Sequence, residues 1–375
     1  MKVKFFRRKK EEREVFRLGE ILRVIGEGKS HSRSEEENPL RSFGNIFHLN
    51  GYALHFSSSD PRLDLIADMS LRASSEDEQL ILFTSPSIEK WLLKELRLLK
   101  EKGLQWEVLP FGEEALDRFI RERFATFNRG ERILVFLPLV HYEFGLRIPL
   151  ARYAKIIRDA AKKYRISHLH IHADFSHALF EEKLNFFSYR IDSMQFSLPL
   201  HSHGACFASY YKKQDPTFST PCSSKEHSRS LIHSALELFR NSREVRERGK
   251  KLRLLFETSL QNDGVPEGTR FLSQEHTDIQ EFISVLSFST IDHEELLIRL
   301  EEEGVYPVIG EVCRDIQFRS LTLNMLNLPY ENALSFTFHP SIHNEKSVKR
   351  VAKRVSALSQ KLYRFRNSGY TAWHE

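Results

Sequence analysis

The chain has 375 residues, which is enough for two or three structural units, or for one large α/β domain with a smaller satellite. Hydrophobic residues make up 41% and charged residues 29%, and this composition excludes collagen-like, coiled-coil and wholly disordered architectures. No apolar run reaches the roughly 18 residues that a membrane-spanning helix needs, and residues 1–10 lack the apolar stretch of a signal peptide. We therefore expect a soluble, cytoplasmic protein with no membrane partner.

The net charge of +5 is concentrated at the N-terminus, where the first fourteen residues contain seven basic and three acidic side chains. Such a basic arm, Lys2 to Lys10, is typical of a solvated tail, so a nucleic-acid partner is not expected. Cys206, Cys222 and Cys313 are widely spaced and form no C-x-x-C motif. This spacing favours reduced thiols over a disulfide framework or a thiolate zinc site.

The predicted elements begin after a charged arm and linker at residues 1–50. Within residues 51–228, short apolar runs alternate with segments of helical spacing. The predicted strands are 80–83, 106–109, 133–137, 168–172, 194–197 and 206–211, and the predicted helices are 88–99 and 150–164. Strands separated by helices of this length indicate βαβ units, so the fold class is α/β, with a mostly parallel sheet in the large domain.

The character of the sequence changes at residues 229–375, which we predict to form a helical connection and a small α+β C-terminal domain. The predicted helices are 230–260, 293–303 and 345–365, and the predicted strands are 282–288, 316–325 and 333–338. The last helix has an apolar stripe that includes Val348, Val351 and Val355, with lysines and arginines elsewhere around it. This pattern is typical of an amphipathic helix that covers a core.

One predicted strand carries an unusual row of ionisable residues. In order, they are His168, His170, His172 and Asp174. Alternation along a strand places the three histidines on one face and Asp174 at the carboxyl end, where α/β sheets bind ligands. Three interpretations remain open: structural packing, a metal site to which His201 and His203 add ligands, and the remnant of an organic-cofactor site.

The order of landmarks around this strand resembles a known family. A segment at 140–150 precedes a helix, Ile-His-Ala-Asp follows at 171–174, then Ile-Asp-Ser-Met-Gln-Phe-Ser at 191–197, and a further β run leads to a lysine pair. This order resembles the large domain of fold-type I pyridoxal-phosphate enzymes, most closely the group II decarboxylases of the histidine decarboxylase kind, over residues 45–365. The resemblance implies a PLP-transferase-like (aspartate aminotransferase) fold and a dimer.

The resemblance also implies roles for particular residues. Asp174 would hold the cofactor's pyridine nitrogen in its protonated form, and Ala173 would pack against the ring. Ser197 would contact the cofactor phosphate or the strand end. The other remnants of the cofactor site would be His172, His201, His203, Ser57 and Ser58.

The chain departs from the family at the residue that matters most for catalysis. The family's Schiff-base lysine falls between Leu198 and Leu200, and there is no lysine anywhere from Leu184 to Tyr211. Lys212 and Lys213 correspond to a distal pair and do not replace it. Without an ε-amine at this position no internal aldimine forms.

Other cofactor contacts depart as well. The Gly-Gly-Thr phosphate cradle is replaced by Phe-Ser-Ser-Ser at 56–59, which places side chains where backbone N–H groups would approach the phosphate. The expected ring-stacking histidine falls near Ser87 or Ile88, and a Gly-Thr-Thr segment becomes Val-His-Tyr at 140–142. Four regions of the expected cofactor site therefore differ together.

We accordingly predict a degenerate decarboxylase-like protein that is non-catalytic and has a structural or regulatory role. It would have no cofactor, or pyridoxal phosphate if any, and its partner would be a second copy or an active paralogue. The first alternative is an active pyridoxal-phosphate decarboxylase with an unusual site. The second is a metal-dependent enzyme that uses the histidine cluster.

Overall fold

The described chain forms a seven-stranded sheet, a four-stranded sheet and one two-stranded pairing. This computed structural model describes residues 14–15, 52–57, 60–127, 131–141, 144–176, 178, 186–199, 205–212, 242–309 and 333–368. The two-stranded pairing joins Glu14–Val15 (β1) in parallel to Val305–Tyr306 (β11), so the predicted N-terminal arm contains a short strand. Among the described helices, none is long and apolar enough to cross a membrane.

The seven-stranded sheet is built from residues 52–212. Its strands are Tyr52–Ser57 (β2), Gln79–Thr84 (β3), Gln105–Val108 (β4), Glu131–Pro138 (β5), His168–Asp174 (β6), Ser193–Pro199 (β7) and Ala205–Lys212 (β8). Their order across the sheet is β2-β8-β7-β6-β5-β3-β4, and β8 is antiparallel to both of its neighbours, while the other pairings are parallel. The prediction of a mostly parallel sheet is confirmed.

Four helices of the described part of the chain cover the two faces of this sheet. They are Pro61–Ser75 (α1), Lys90–Glu101 (α2), Glu113–Ala125 (α3) and Leu150–Tyr164 (α4), and a 3₁₀ helix occupies Phe186–Tyr189. The apolar sides of α1 and α2 pack with Leu82 and Phe136 on one face, and those of α3 and α4 pack with Phe83 and Val135 on the other. Because alternate residues of the strands point to opposite faces, both faces are buried and the strands are apolar almost throughout.

The small antiparallel sheet belongs to the C-terminal half of the chain. Its order is β12-β13-β10-β9, from strands Thr269–Phe271 (β9), Ile283–Phe288 (β10), Val308–Ile309 (β12) and Ala333–Thr337 (β13). The helices are Ser242–Asp263 (α5), Leu272–Glu275 (α6), His293–Glu302 (α7) and Glu345–Asn367 (α8). Helices α5, α7 and α8 pack on the sheet through a core that contains Phe256, Phe336 and the predicted valine stripe of α8. The predicted strand 316–325 and residues 230–241 lie outside the described residues.

The loop that follows β5 connects the two sheets. Its Gly145 carbonyl accepts a hydrogen bond from the Gln280 amide at 2.9 Å, and the Arg147 amide donates to the Asp278 carbonyl at 2.8 Å. Gly145 has a φ of 64°, and a Cβ added there would lie 2.3 Å from Cδ1 of Ile283. A residue without a side chain is therefore needed where this loop meets β10.

Candidate functional site

The candidate site lies at the carboxyl edge of the large sheet, where ligands bind in open α/β folds. Asp174 is the last residue of β6 and is paired in register with Pro138 of β5 and Gln195 of β7. Arg62 lies in the first turn of α1, which follows β2, and Glu89 immediately precedes α2, which follows β3. Two crossover connections and the end of β6 therefore bring charged residues to the same edge.

Both carboxylate oxygens of Asp174 have protein partners. Oδ1 accepts the backbone N–H of Ser176 at 2.7 Å. Oδ2 accepts Nε2 of Gln195 at 3.0 Å and forms an ion pair with Nη1 of Arg62 at 3.1 Å. Asp174 is only 6% exposed, so these groups, rather than bulk water, stabilise its charge.

The guanidinium of Arg62 is held by three carboxylates. Its Nε and Nη2 donate to the two oxygens of Asp60, at 2.9 and 2.7 Å, in a bidentate fork. Its Nη1 donates to Glu89 at 2.6 Å, on the same side as Asp174, and its Cζ lies 5.4 Å from the ring centroid of Trp91. All three nitrogens of the guanidinium thus face carboxylates, and an aromatic ring lies against its plane.

The positive charge of Arg62 is permanent. Burial lowers the pKa of Arg62, but the carboxylates of Glu89, Asp60 and Asp174 more than offset this, so its pKa lies well above the ordinary value. The residue is only 2% exposed. Ionisation of such a buried group is tolerated only because it is fully paired, so removal of either side of the pair would leave a buried charge uncompensated.

A buried chain of hydrogen bonds leads from Asp174 back along β6. A carboxylate only accepts, so Nε2 of Gln195 donates to it, and Oε1 of Gln195 then accepts Nε2–H of His172 at 3.2 Å. With Nε2 protonated, neutral His172 has a bare Nδ1, which accepts the Ser193 hydroxyl at 2.7 Å. The oxygen of Ser193 accepts Nε2–H of His170 at 2.6 Å. Every donor in this chain therefore points towards Asp174.

His172 is kept neutral by its surroundings. Burial lowers its pKa well below the ordinary value, and the nearby His170 and Arg62 lower it further, against a smaller opposing effect from the Gln195 hydrogen bond. The ring is fully buried and makes an edge-to-face contact with Phe136, with centroids 5.6 Å apart. Its surroundings fit a packed structural histidine better than a proton donor at neutral pH.

The three histidines do not form a metal site together. His170 and His172 both bind the Ser193 hydroxyl, which separates their nitrogens with a protein group. Among the described residues, the set whose ligand atoms lie within 4.8 Å of one another is Glu76, Glu78 and His168. Arg132 already pairs with both of these glutamates at 2.5 Å, and a guanidinium between two carboxylates opposes cation binding.

The structure describes Ala173, Ser57 and Ser197 among the other predicted site residues. Ala173 packs in the core on the α3 and α4 face of the sheet, opposite to Asp174, because neighbouring residues of a strand point to opposite faces. Its contact with a cofactor ring stays a prediction. Ser57 ends β2, and Ser197 lies in β7 opposite Phe207. Ser58, Leu200, His201 and His203 lie outside the described residues, while Leu198 lies within β7.

Sequence reasoning found Asp174 but missed Arg62, Asp60 and Glu89. Asp60 caps α1, and Pro61 at the first helical position is a normal helix start. A positive side chain in the first turn is opposed by the helix dipole, so Arg62 at that position was a detectable signal of nearby anions. Glu89 gave no such signal, because a glutamate before a helix is common.

Comparison with solved structures confirms the fold class. A NifS-like protein has a TM-score of 0.66 at 14% identity, over 94% of this chain and 100% of that chain. Escherichia coli cysteine desulfurase CsdA gives 0.58 at 13% identity, over 91% of this chain and 92% of that chain. Serine palmitoyltransferase from S. paucimobilis, with a bound PLP–myriocin aldimine, gives 0.53 at 12%, over 92% of this chain and 84% of that chain. The chain therefore has a PLP-transferase-like, aspartate aminotransferase-type fold.

The sequence itself matches no protein-family model and no curated protein. Identities of this order show the fold alone, since one fold supports many activities and also non-catalytic proteins. The structural neighbours named above are a NifS-like protein, a cysteine desulfurase and a serine palmitoyltransferase. The closer resemblance to decarboxylases thus stays a prediction.

Pyridoxal phosphate is the cofactor that the resemblance implies, and the residues of this site do not fit it. A protonated ring nitrogen would need an oxygen of Asp174 as its acceptor, but Oδ1 already accepts from the Ser176 amide, and Oδ2 accepts from Gln195 and is paired with Arg62. Arg62 cannot lose its proton to make way for a second cation. A ring placed at Asp174 would therefore have to displace a buried guanidinium from three carboxylates.

Proposed function

We propose that this chain is a non-catalytic protein with the fold of pyridoxal-phosphate enzymes, and that it has a structural or regulatory role. The observation that carries the proposal is the ion pair between Arg62 and Asp174, 3.1 Å apart and almost completely buried. Asp174 is the residue on which the chemistry of a bound cofactor ring would depend, since its charge would keep the ring an electron acceptor. In this chain the charge of Asp174 is instead paired with Arg62.

The sequence between β6 and β8 supports the same conclusion. There is no lysine from Leu184 to Tyr211, the stretch in which the resemblance places the Schiff-base lysine. A histidine cannot replace it, because an imidazole forms no stable imine with an aldehyde. The absence of the Schiff-base lysine and the pairing of Asp174 with Arg62 are separate changes. Each alone would impair catalysis.

An absorbance titration tests this proposal. Purified protein is mixed with pyridoxal phosphate, reduced with borohydride and digested, and modified lysines are identified by mass spectrometry beside the Asp174→Ala variant. We expect a spectrum indistinguishable from that of free cofactor plus scattered surface lysine adducts, equal in the two proteins. One stoichiometric lysine adduct that disappears in Asp174→Ala would contradict the proposal and favour an active decarboxylase-like enzyme.

We further propose that the chain acts through a second copy of itself or through a catalytic paralogue, as the resemblance to dimeric enzymes implies. A structural or regulatory role requires a partner, and a partner that shares the fold can be recognised by equivalent surfaces. Light scattering after size-exclusion chromatography distinguishes the two forms. A dimer of about twice 44.0 kDa supports self-association, whereas a monomer directs attention to the paralogue.

A further inference from the structure

We propose that Asp60 and Arg62 are a built-in substitute for the cofactor, in which the protein itself supplies the two charges that pyridoxal phosphate would bring. The proposal rests on the proposed non-catalytic function and deepens it. It gives Asp174 a role in a chain that lacks the anchoring lysine, as the partner of Arg62.

The negative end of the substitute lies at the N-terminus of α1. An uncapped helix start presents free N–H groups and a partial positive charge, which is how such ends bind phosphate. Asp60 occupies this end: its Oδ1 accepts the backbone N–H of Arg62 at 2.8 Å. The segment at 56–59, which the resemblance assigns to the phosphate cradle, leads directly into this cap. A carboxylate of the chain therefore takes the place of the phosphate.

The positive end lies against Asp174. Arg62 extends its Nη1 to within 3.1 Å of Oδ2 of Asp174, and so places a cation beside the carboxylate that the resemblance assigns to the ring nitrogen. Guanidinium is planar and cationic, like a protonated pyridine, and Trp91 lies over it at 5.4 Å. The bidentate fork to Asp60 links the two ends, so the pair holds one anion and one cation in a fixed geometry.

The substitute predicts that the scaffold folds fully without any ligand. Asp60, Arg62 and Asp174 are each no more than 6% exposed, which means that the region is already closed and charge-paired. A site designed for a separate ligand would instead leave Asp174 open to solvent. Removal of the Asp60 and Arg62 side chains should accordingly create a site for a planar, phosphate-bearing cation.

A gain-of-binding experiment tests the inference. The double variant Asp60→Gly with Arg62→Ala frees the helix N-terminus and Asp174, and Gly keeps most of the capping preference. We expect non-covalent binding of pyridoxal phosphate, measured by equilibrium dialysis, to be at least about tenfold tighter than in the unmodified protein, a difference of roughly 1.4 kcal/mol. Addition of Asp174→Asn should abolish the gain.

A matched control is available on the same helix. Arg72 and Asp68 form an ion pair at 3.1 Å, and both are about one third exposed. The variant Asp68→Ala with Arg72→Ala should gain no binding. If the double variant at Asp60 and Arg62 does not fold alone, its refolding yield is compared with pyridoxal phosphate, pyridoxal or inorganic phosphate present. Recovery with pyridoxal phosphate only supports the inference, and recovery with none of the three overturns it.

The outcomes separate this inference from the proposed function. If neither the unmodified protein nor the double variant binds, the substitute does not exist, but the non-catalytic proposal stands. If both bind equally well, Asp60 and Arg62 are no obstacle, and the inference fails. A specific lysine adduct in the unmodified protein contradicts both.

Discussion

Nη1 of Arg62 lies 3.1 Å from Oδ2 of Asp174, although Arg62 is in the first turn of α1 and Asp174 is the last residue of β6. The approach is possible because β2 and β6 have their carboxyl ends at the same edge. Since a buried cation and a buried anion are each costly alone, neither would be tolerated without the other. This relationship underlies the first prediction.

Replacement of Arg62 by Met should destabilise the protein by about 3–5 kcal/mol, because Asp60, Glu89 and Asp174 would be left facing one another with no cation. Urea unfolding at pH 7 measures this loss. Arg72→Met, which breaks the partly exposed pair with Asp68, is the control and should cost below about 1 kcal/mol. Equal losses in the two variants would show that the Arg62 network is not stabilising.

The buried chain from His170 to Asp174 predicts a large effect for a very small change. Ser193→Ala removes the donor to Nδ1 of His172 and the acceptor for His170, and each buried group left unpaired costs about 1–3 kcal/mol. Unfolding free energies from denaturant titration give the comparison.

Ser284 provides the matched control for Ser193. It is also fully buried, but its hydroxyl has no hydrogen-bond partner within the described part of the chain. Ser284→Ala should therefore be neutral or slightly stabilising. A loss at Ser284 as large as that at Ser193 would indicate that tight packing, rather than hydrogen bonding, determines both results.

Buried neutral histidines should make stability fall in acid. Burial, followed by the charge of His343, lowers the pKa of His339 to about 4 from an ordinary value of 6.5. The unfolded chain takes up this proton below pH 6.5 and the folded chain only near pH 4, so stability decreases as pH falls through that interval. A shift of this size corresponds to a loss on the order of 3 kcal/mol.

His172, whose pKa is also lowered, acts in the same direction. His339→Gln should flatten the decline in unfolding free energy between pH 6.5 and 4. His168→Gln, at a histidine whose side chain is 41% exposed, serves as the control and should leave the decline in place. An unchanged slope in His339→Gln would contradict the assignment.

The sequence predicted the fold better than the site, and the reason is physical. Apolar periodicity is a local property, so helix α4 was predicted with its observed bounds, and the strand that ends at Asp174 was placed correctly. The partner of Asp174 depends on which strands become neighbours in the sheet, and no local pattern encodes that. Arg62 was visible only as a cation in an unfavourable place at a helix start. Helix α3 was missed although Leu116, Ile120 and Phe124 recur at helical spacing.

The contact between the two sheets yields the last prediction. Gly145→Ala places a Cβ 2.3 Å from Cδ1 of Ile283 at a φ of 64°, so the buried side chain of Ile283 or the loop after β5 must shift. We expect a loss of about 1–3 kcal/mol, as for overpacked cores. Gly103 also has a positive φ, 104°, but a Cβ there would meet nothing within 4 Å. Gly103→Ala therefore isolates the backbone strain, and thermal unfolding of both variants separates strain from steric overlap. If Gly145→Ala costs no more than Gly103→Ala, the loop is not pressed against β10, and the two sheets are held together by other contacts.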